Sequence, residues 1–396
     1  MILVEKHQLP YDSKLDELCF LSKNVYNSTL YAIRQEFTLT GKFKTYPKLA
    51  KEFVITKNKD YYALPTKVSQ QTMKMAEENF KSFFKSNQSY KKNPKKFKGK
   101  PKIPNYKNST TGRFMLIYTN QAISKKEFKK GFISLSQTEL KIKTKIKDWD
   151  SIKQVRIIPK SDYFVIEVVH SKQSKPKIIS NQFSAIDLGL NNLATISYSD
   201  GKNPIIINGK PLKSINQFYN KRKAQFQSKL KNNKTSKKIN KLSNKRNNKI
   251  NDYLHKSSRF LVNQLVSKNI SKLIIGYNKQ WKQDINIGKR NNQNFVNIPF
   301  YKFIFMLKYK CELEGVEVIL NEESYTSKCS FLDLEDVRKH EKYKGRRTKR
   351  GLFISSKNEL INADLNGSYN IMRKVVPNVF TNGIEDVVVH PRLITI

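Results

Sequence analysis

Residues 184–197 read SAIDLGLNNLATIS, and residues 361–371 read INADLNGSYNI. The first stretch predicts two apolar strands joined by a Gly-Leu-Asn-Asn turn, with a third strand over Ile205 to Ile207. The second predicts the start of a helix running from Asp364 to about Val375, with Asn362, Asn366 and Asn370 on one face and Gly367 open to close approach. Between them the pattern predicts two basic helices over 213–250, a helix from Asp252 to Ser267 and a buried strand from Lys272 to Tyr277. A helix from Tyr301 to Glu314 and a strand from Val316 to Leu320 follow. Strands alternating with helices make residues 178–396 an α/β region.

The first half reads differently. Apolar residues from Leu15 to Phe37 fall at helical spacing behind an Asp12 or Ser13 N-cap, and a second helix starts after Leu64-Pro65 and carries Val68, Met73, Phe80 and Phe84. Residues 90–107 pack lysines around Pro94, Gly99, Pro101 and Pro104, an extended basic connector. Strand-like runs follow at Arg113 to Thr119, Gly131 to Ser136, Lys141 to Lys147, Gln154 to Pro159 and Tyr163 to Val169. They predict a small antiparallel sheet or barrel over 109–177, to which residues 1–10 add a first strand. The fold class is therefore α+β and multidomain: a helical region over 11–108, the β-domain, then the α/β domain.

The chain carries 76 Lys and Arg against 32 Asp and Glu, a formal net charge of +44 over 396 residues. Self-repulsion on that scale points to a polyanionic partner and away from small-metabolite chemistry. Basic stretches recur at 91–107, 213–250 and 338–350, interleaved with Tyr90, Phe97, Tyr106, Phe218, Tyr219 and Phe226, a pattern suited to tracking a nucleic-acid backbone. The candidate contacts are Lys95, Lys96, Lys98, Lys100, Lys102, Arg222, Lys237, Lys238, Arg246, Arg346, Arg347 and Arg350. No run reaches the roughly 20 apolar residues of a membrane helix, so a cytoplasmic, nucleoid-associated protein with no membrane partner is expected. Cys19, Cys311 and Cys329 are too few and too scattered for a disulfide framework.

Acids are scarce, so those at predicted strand ends stand out. Taken alone, Asp187 reads as a turn-initiating residue, Asp364 as a complement to its helix dipole, and the pair Glu322 and Glu323 as a solvated loop. Together they can converge and hold two divalent ions for in-line phosphodiester cleavage, and Mg²⁺ suits an all-oxygen set. Trp281 reads as a base-stacking or core residue, with the core favoured.

On these residues the sequence resembles the TnpB family of transposon-encoded, RNA-guided DNA endonucleases, which is related to Fanzor proteins and type V CRISPR effectors. The resemblance covers the N-terminal helix, the block from Tyr62 to Phe84, the Gly99 to Pro104 connector and the acidic segments around Asp187 and Asp364. It implies a RuvC-like (RNase H-like) nuclease domain holding two Mg²⁺ ions through Asp187, Glu323 and Asp364. It also implies a helical recognition region, a wedge β-domain, a guide RNA from the element's end and a double-stranded DNA target beside a short motif. Two departures matter. Gly276 stands where many relatives place a glutamate, and Glu323-Ser324-Tyr325-Thr326-Ser327 matches the later position used by part of the family. Residues 328–360 hold Cys329 and His340 but no pair of Cys-x-x-Cys motifs, so no zinc is expected and a basic insert takes the ribbon's place. The alternative is a nuclease-inactive, RNA-guided DNA-binding repressor, and a third reading is a non-guided RNA-binding or transposition accessory protein.

Overall fold

A computed structural model describes the chain except residues 232–234, 279–287, 350, 382 and 385–386. The chain folds as two units, Met1–Lys172 and Gln173–Ile396.

The first unit runs β1 (Ile2–Pro10), α1 (Ser13–Thr40), α2 (Tyr46–Ile55), α3 (Lys59–Tyr62), α4 (Thr66–Lys92), β2 (Leu116–Thr119), α5 (Lys125–Lys129), β3 (Phe132–Ser134), β4 (Lys141–Lys143), β5 (Ile152–Pro159) and β6 (Tyr163–Ser171). Asp12 is the N-cap of α1, its carboxylate accepting the Leu15 amide at 2.9 Å, and Gly41 in the left-handed region ends the helix. The strands form an open antiparallel sheet in the order β1-β6-β5-β2, with β3 and β4 paired separately. Three expected strands are shorter than read, the run from Gly131 to Ser136 keeping only Phe132–Ser134. Arg113 leaves the first of them to grip Asp16 through two nitrogens at 2.9 and 2.7 Å. The run from Lys141 stops at Lys143 because the Thr144 hydroxyl and the Lys145 amide both turn to the Glu5 carboxylate. Helices and sheet bury into one continuous core, in which Leu30, Ile33, Met73 and Phe80 join Leu116, Val155 and Ile166.

The connector lies along α1. The Asn27 amide exchanges two 2.9 Å hydrogen bonds with the Lys107 backbone, and Arg34 donates to the Pro104 carbonyl while covering the Tyr106 ring. Lys95, Lys96, Lys98, Lys100 and Lys102 remain exposed.

The second unit contains β7 (Phe183–Leu188), β8 (Asn192–Tyr198), β9 (Ile205–Asn208), α6 (Lys210–Gln227), α7 (Lys237–Ser267), β10 (Lys272–Gly276), α8 (Lys289–Asn297), α9 (Phe300–Leu313) and β11 (Glu317–Asn321). It continues with β12 (Arg346–Lys349), β13 (Leu352–Ile354), β14 (Leu360–Asn362), α10 (Ala363–Val375) and β15 (Arg392–Ile394). Its main sheet has the order β11-β10-β7-β8-β9-β15. β7, β8 and β9 form an antiparallel meander, while β10 and β11 lie parallel to β7 on its other side. Since side chains alternate along a strand, Ile186 and Ile275 face one layer with Leu254, Leu261, Phe303 and Leu307 of α7 and α9. Ala185 and Ile274 face the other, with Leu365, Tyr369 and Ile371 of α10.

The expected boundary between a basic helix ending at 250 and a new helix at Asp252 is absent. α7 is one helix of 31 residues, because Ile239, Ile250, Leu254, Leu261 and Leu265 hold a single buried stripe and no Gly or Pro interrupts it. Neither the three-stranded sheet β12-β13-β14 nor strand β15 stands out in the sequence.

Candidate active site

Asp187 lies one residue from the end of β7, and the parallel register Ile186↔Ile275 sets Gly276, the last residue of β10, beside it. Gly276 pairs in turn with Asn321, the last residue of β11. The carboxyl ends of three parallel strands thus meet at one rim, where open α/β sheets place their ligands.

Glu323, two residues beyond β11, folds back over that rim. A β-carbon built on Gly276 would stand 2.5 Å from Glu323 Oε1 and 2.7 Å from its Cγ, so the glutamate fills the volume a side chain at 276 would occupy. Asn278 clamps it: the Glu323 amide donates to Asn278 Oδ1 at 3.0 Å, and Asn278 Nδ2 reaches Glu323 Oε2 at a long 3.5 Å. Glu323 Oε1 is buried without a hydrogen-bond partner. Glu322, by contrast, is exposed and faces Ser324 and Lys374.

Asp364 occupies the first turn of α10, where the Asn362 side chain caps the Asp364 and Leu365 amides. The helix comes close to the sheet at small residues. A β-carbon on Gly367 would meet Asp187 Oδ2 at 2.8 Å, and the Ser368 hydroxyl donates to the Ala185 carbonyl at 2.9 Å. Asp364 Oδ2 accepts Asn192 Nδ2 at 2.6 Å, and its Oδ1 accepts Arg347 Nη2 at 3.2 Å.

The electrostatics follow from this crowding. Burial, then the nearby charges of Glu323 and Asp364, push the Asp187 carboxyl well above the usual range, with Arg347 pulling the other way. Burial pushes Glu323 up to about 7. Among the described residues no three His, Cys, Asp or Glu side chains already stand as a closed metal-binding group. The donors nevertheless fit a hard divalent cation: three carboxylates at one rim, one orphaned carboxylate oxygen, and two glycines whose missing side chains make room for Glu323 and Asp187.

The asparagine stripe has a role that the sequence does not display. Asn366 Oδ1 accepts the Phe331 amide at 2.9 Å and its Nδ2 donates to the Cys329 carbonyl at 2.9 Å, while Asn370 Nδ2 donates to the Thr326 and Cys329 carbonyls at 3.0 and 2.8 Å. These bonds fasten the loop after Glu323 onto the helix that carries Asp364. Nearby, the buried Glu335 carboxylate accepts the Ser330 and Lys344 amides at 2.8 and 2.9 Å. The Cys329 thiol is buried and its pKa is raised by that burial, and His340 contacts the Asp336 carbonyl.

Of the basic residues singled out from the sequence, Arg222, Lys237, Lys238 and Arg346 are exposed. Arg246 is more enclosed: its guanidinium donates to Asn216 Oδ1 and to the Asn297 carbonyl, both at 2.8 Å, and lies against the Tyr219 ring. It ties α6, α7 and α8 together. Arg347, within the basic insert, sits on β12 at the acid cluster. Arg350 and Trp281 lie outside the described residues. Sequence reasoning missed Asn192, Asn278 and the placement of Arg347. Only Asn192, in the turn following Asp187, carried a local signal.

Comparison with known proteins adds a family frame. Residues 164–282 match the OrfB_IS605 model, described as a probable transposase, and residues 300–371 match the Cas12f1-like TNB domain. A TnpB-like protein, ORF457 of Acidianus two-tailed virus, is 25% identical over 236 residues, which are 56% of this chain and 48% of that protein, so the chain spans about half the length of this curated relative. The Cas12f1 chain in a complex with sgRNA and target DNA superposes with a TM-score of 0.56 at 12% identity, covering 91% of this chain and 83% of that one. The mini-RNA-guided endonuclease CRISPR-Cas_phi3 superposes with a TM-score of 0.50 at 12% identity, covering 95% and 92%. At that identity the superpositions speak for the fold alone. The chain is therefore similar to the OrfB_IS605 probable transposases and, further along, to the Cas12f1-like TNB domain, on an α+β fold shared with Cas12f1.

Proposed function

We propose that the chain is an RNA-guided, divalent-metal-dependent DNA endonuclease of a transposable element, cutting through a RuvC-like site formed by Asp187, Glu323 and Asp364. The observation that carries the reading is the gathering of three carboxylates from remote segments at the rim of β7, β10 and β11, two of them pushed up in pKa by burial. The meander β7-β8-β9 with β10 and β11 parallel to β7 is the strand order of an RNase H-like sheet, which supports the same reading.

When bound, two Mg²⁺ ions would neutralise charge that builds on the phosphate oxygens as the bond breaks. The chain's own part is to hold three carboxylates on rigid elements. β7 fixes Asp187, the Asn278 clamp and the Gly276 gap fix Glu323, and the Asn362 cap and the Asn192 amide fix Asp364. The exposed lysines of the connector and of α7, within a net charge of +44, supply the sequence-independent attraction for guide RNA and target strands. A guide would carry the sequence reading by base pairing.

The chain purified with its co-expressed RNA is tested on matched and scrambled duplexes with Mg²⁺. Cleavage of the matched duplex alone, lost in Asp187→Ala and Asp364→Ala while matched binding persists, is the expected result. Protection of the matched duplex without cutting would make the chain a guided repressor, and indifference to the match would make it an accessory nucleic-acid-binding protein.

A further inference from the structure

Arg347 reaches the acid cluster for a reason written in the strand register. It pairs with Phe353, and Phe353 pairs with Ile361, so all three point to one side of the small sheet, the side packed on α10. Arg346 pairs with Ile354 and points to the opposite side. β12 is an edge strand, and its four residues, Arg-Arg-Thr-Lys, are all exposed. From that edge Arg347 makes one nitrogen-to-oxygen contact of 3.2 Å with Asp364, with the Arg347 side chain 49% and the Asp364 side chain 31% exposed. The other Asp364 oxygen is held by Asn192. Both oxygens are thus engaged, and a full positive charge stands where a divalent cation would approach.

We propose that Arg347 is a built-in competitor for this site: its guanidinium holds Asp364 until the phosphodiester backbone of a bound nucleic-acid strand draws it away, so that strand binding and divalent-ion binding favour each other. The inference rests on the metal-site reading above. A single, half-exposed contact is weak, and a pair of this kind shifts an equilibrium by about two- to five-fold. A phosphate offers guanidinium the two-pronged geometry that Asp364 does not provide here. The contact is therefore strong enough to bias an empty site and weak enough to yield to a strand. Its charge also acts on Asp187, against the upward push that burial gives that carboxyl.

The test measures Mn²⁺ binding, used in place of Mg²⁺, by the paramagnetic resonance of free Mn²⁺ over the full chain with its co-purified RNA and without DNA. The site-specific part is what Asp187→Ala removes. Arg347→Ala and Arg347→Gln should each tighten that part by about two- to five-fold, and Arg346→Ala should leave it unchanged. A non-cleavable phosphorothioate strand should then raise Mn²⁺ affinity more in the unaltered chain than in Arg347→Ala. Unchanged or weaker Mn²⁺ binding in both Arg347 variants overturns the proposal. So does equal tightening by Arg346→Ala, which would mark a general charge effect, and so does an equal gain from the strand in both chains. If Asp187→Ala removes no Mn²⁺ binding, the metal-site reading itself fails, and the competitor falls with it.

Discussion

Glu323 and Gly276 occupy each other's space: the carboxylate of one lies where the side chain of the other would begin, at 2.5 Å from a β-carbon that the glycine lacks. The end of β10 therefore has no acid of its own because its neighbour's acid has taken the position.

Gly276→Ala should accordingly act on Glu323. A methyl group at 276 also meets Ile371 Cδ1 at 2.6 Å, so the glutamate cannot slide toward α10 and must swing out of the cluster. Displacement by about 1 Å at a reacting centre can cost on the order of 100-fold in rate. The expected outcome is a cleavage rate lowered to that extent with matched-duplex binding kept, read by single-turnover kinetics beside a binding assay. Gly276→Glu combined with Glu323→Ala should recover part of what Glu323→Ala alone loses. Normal cutting by Glu323→Ala would remove that residue from the site.

Asn370→Ala should loosen the loop after Glu323. The change strands the Thr326 and Cys329 carbonyls, although Asn366 still reaches the latter, and an unpaired buried polar group costs about 1–3 kcal/mol. Amide exchange over residues 324–335 should quicken in Asn370→Ala, more than in the first unit. Unaltered exchange there would show that the asparagine bonds are not what secures the loop.

Stability should depend on pH through Glu323 and Asp187. Burial raises Glu323 from 4.5 to about 7, and Asp187 shifts in the same direction. A carboxyl whose folded value exceeds its unfolded value favours the fold fully below the unfolded value, and that gain disappears as pH rises through the folded value. The melting temperature of the metal-free chain should therefore fall between about pH 5 and about pH 8, and Glu323→Gln should flatten the slope. Mg²⁺ should restore more stability at the upper end than at the lower, because it binds the ionised acids. A melting temperature that rises over this window would contradict the assignment of a largely buried glutamate with one orphaned oxygen.

Lys310 offers a test remote from the acids. It is buried between α7 and α9 with its ammonium on Ser258 Oγ at 2.6 Å and the His255 carbonyl at 2.8 Å, and burial lowers it to about 8. No carboxylate compensates it in those contacts, while Ser258 Oγ also bonds the Leu254 carbonyl, so little is stranded if the lysine is replaced. Lys310→Met should match or exceed the parent's melting temperature at pH 7, and the difference should shrink as pH rises past about 8. A loss of several degrees would mean that the ammonium is a needed tie between the two helices.

How much of this was legible follows the reach of each signal. Asp187 and Asp364 stood out because each interrupts a local pattern, an apolar strand and a helix start, and their meeting is a consequence of α10 packing on β7 at Gly367. The elements read well where apolar spacing was strong, as in α1, α4, α9 and β7. They read poorly at β12, whose exposed Arg-Arg-Thr-Lys has no apolar alternation to announce a strand, and across α7, where sparse apolar residues suggested two helices instead of one. Arg347, Asn278 and the loop-fastening work of Asn366 and Asn370 were illegible because each depends on a partner 17 to 45 residues away, brought near only by the sheet.

The loop tether on α10 also fixes which parts of the site can rearrange. With Asn366 and Asn370 sewing the backbone behind Glu323 to the helix that presents Asp364, these two acids are anchored to a common frame. With Ser368 bonded to the Ala185 carbonyl and Asn278 bonded to Glu323, that frame is also tied to the sheet, so the adjustment left to the pocket is the withdrawal of Arg347 from its one contact with Asp364.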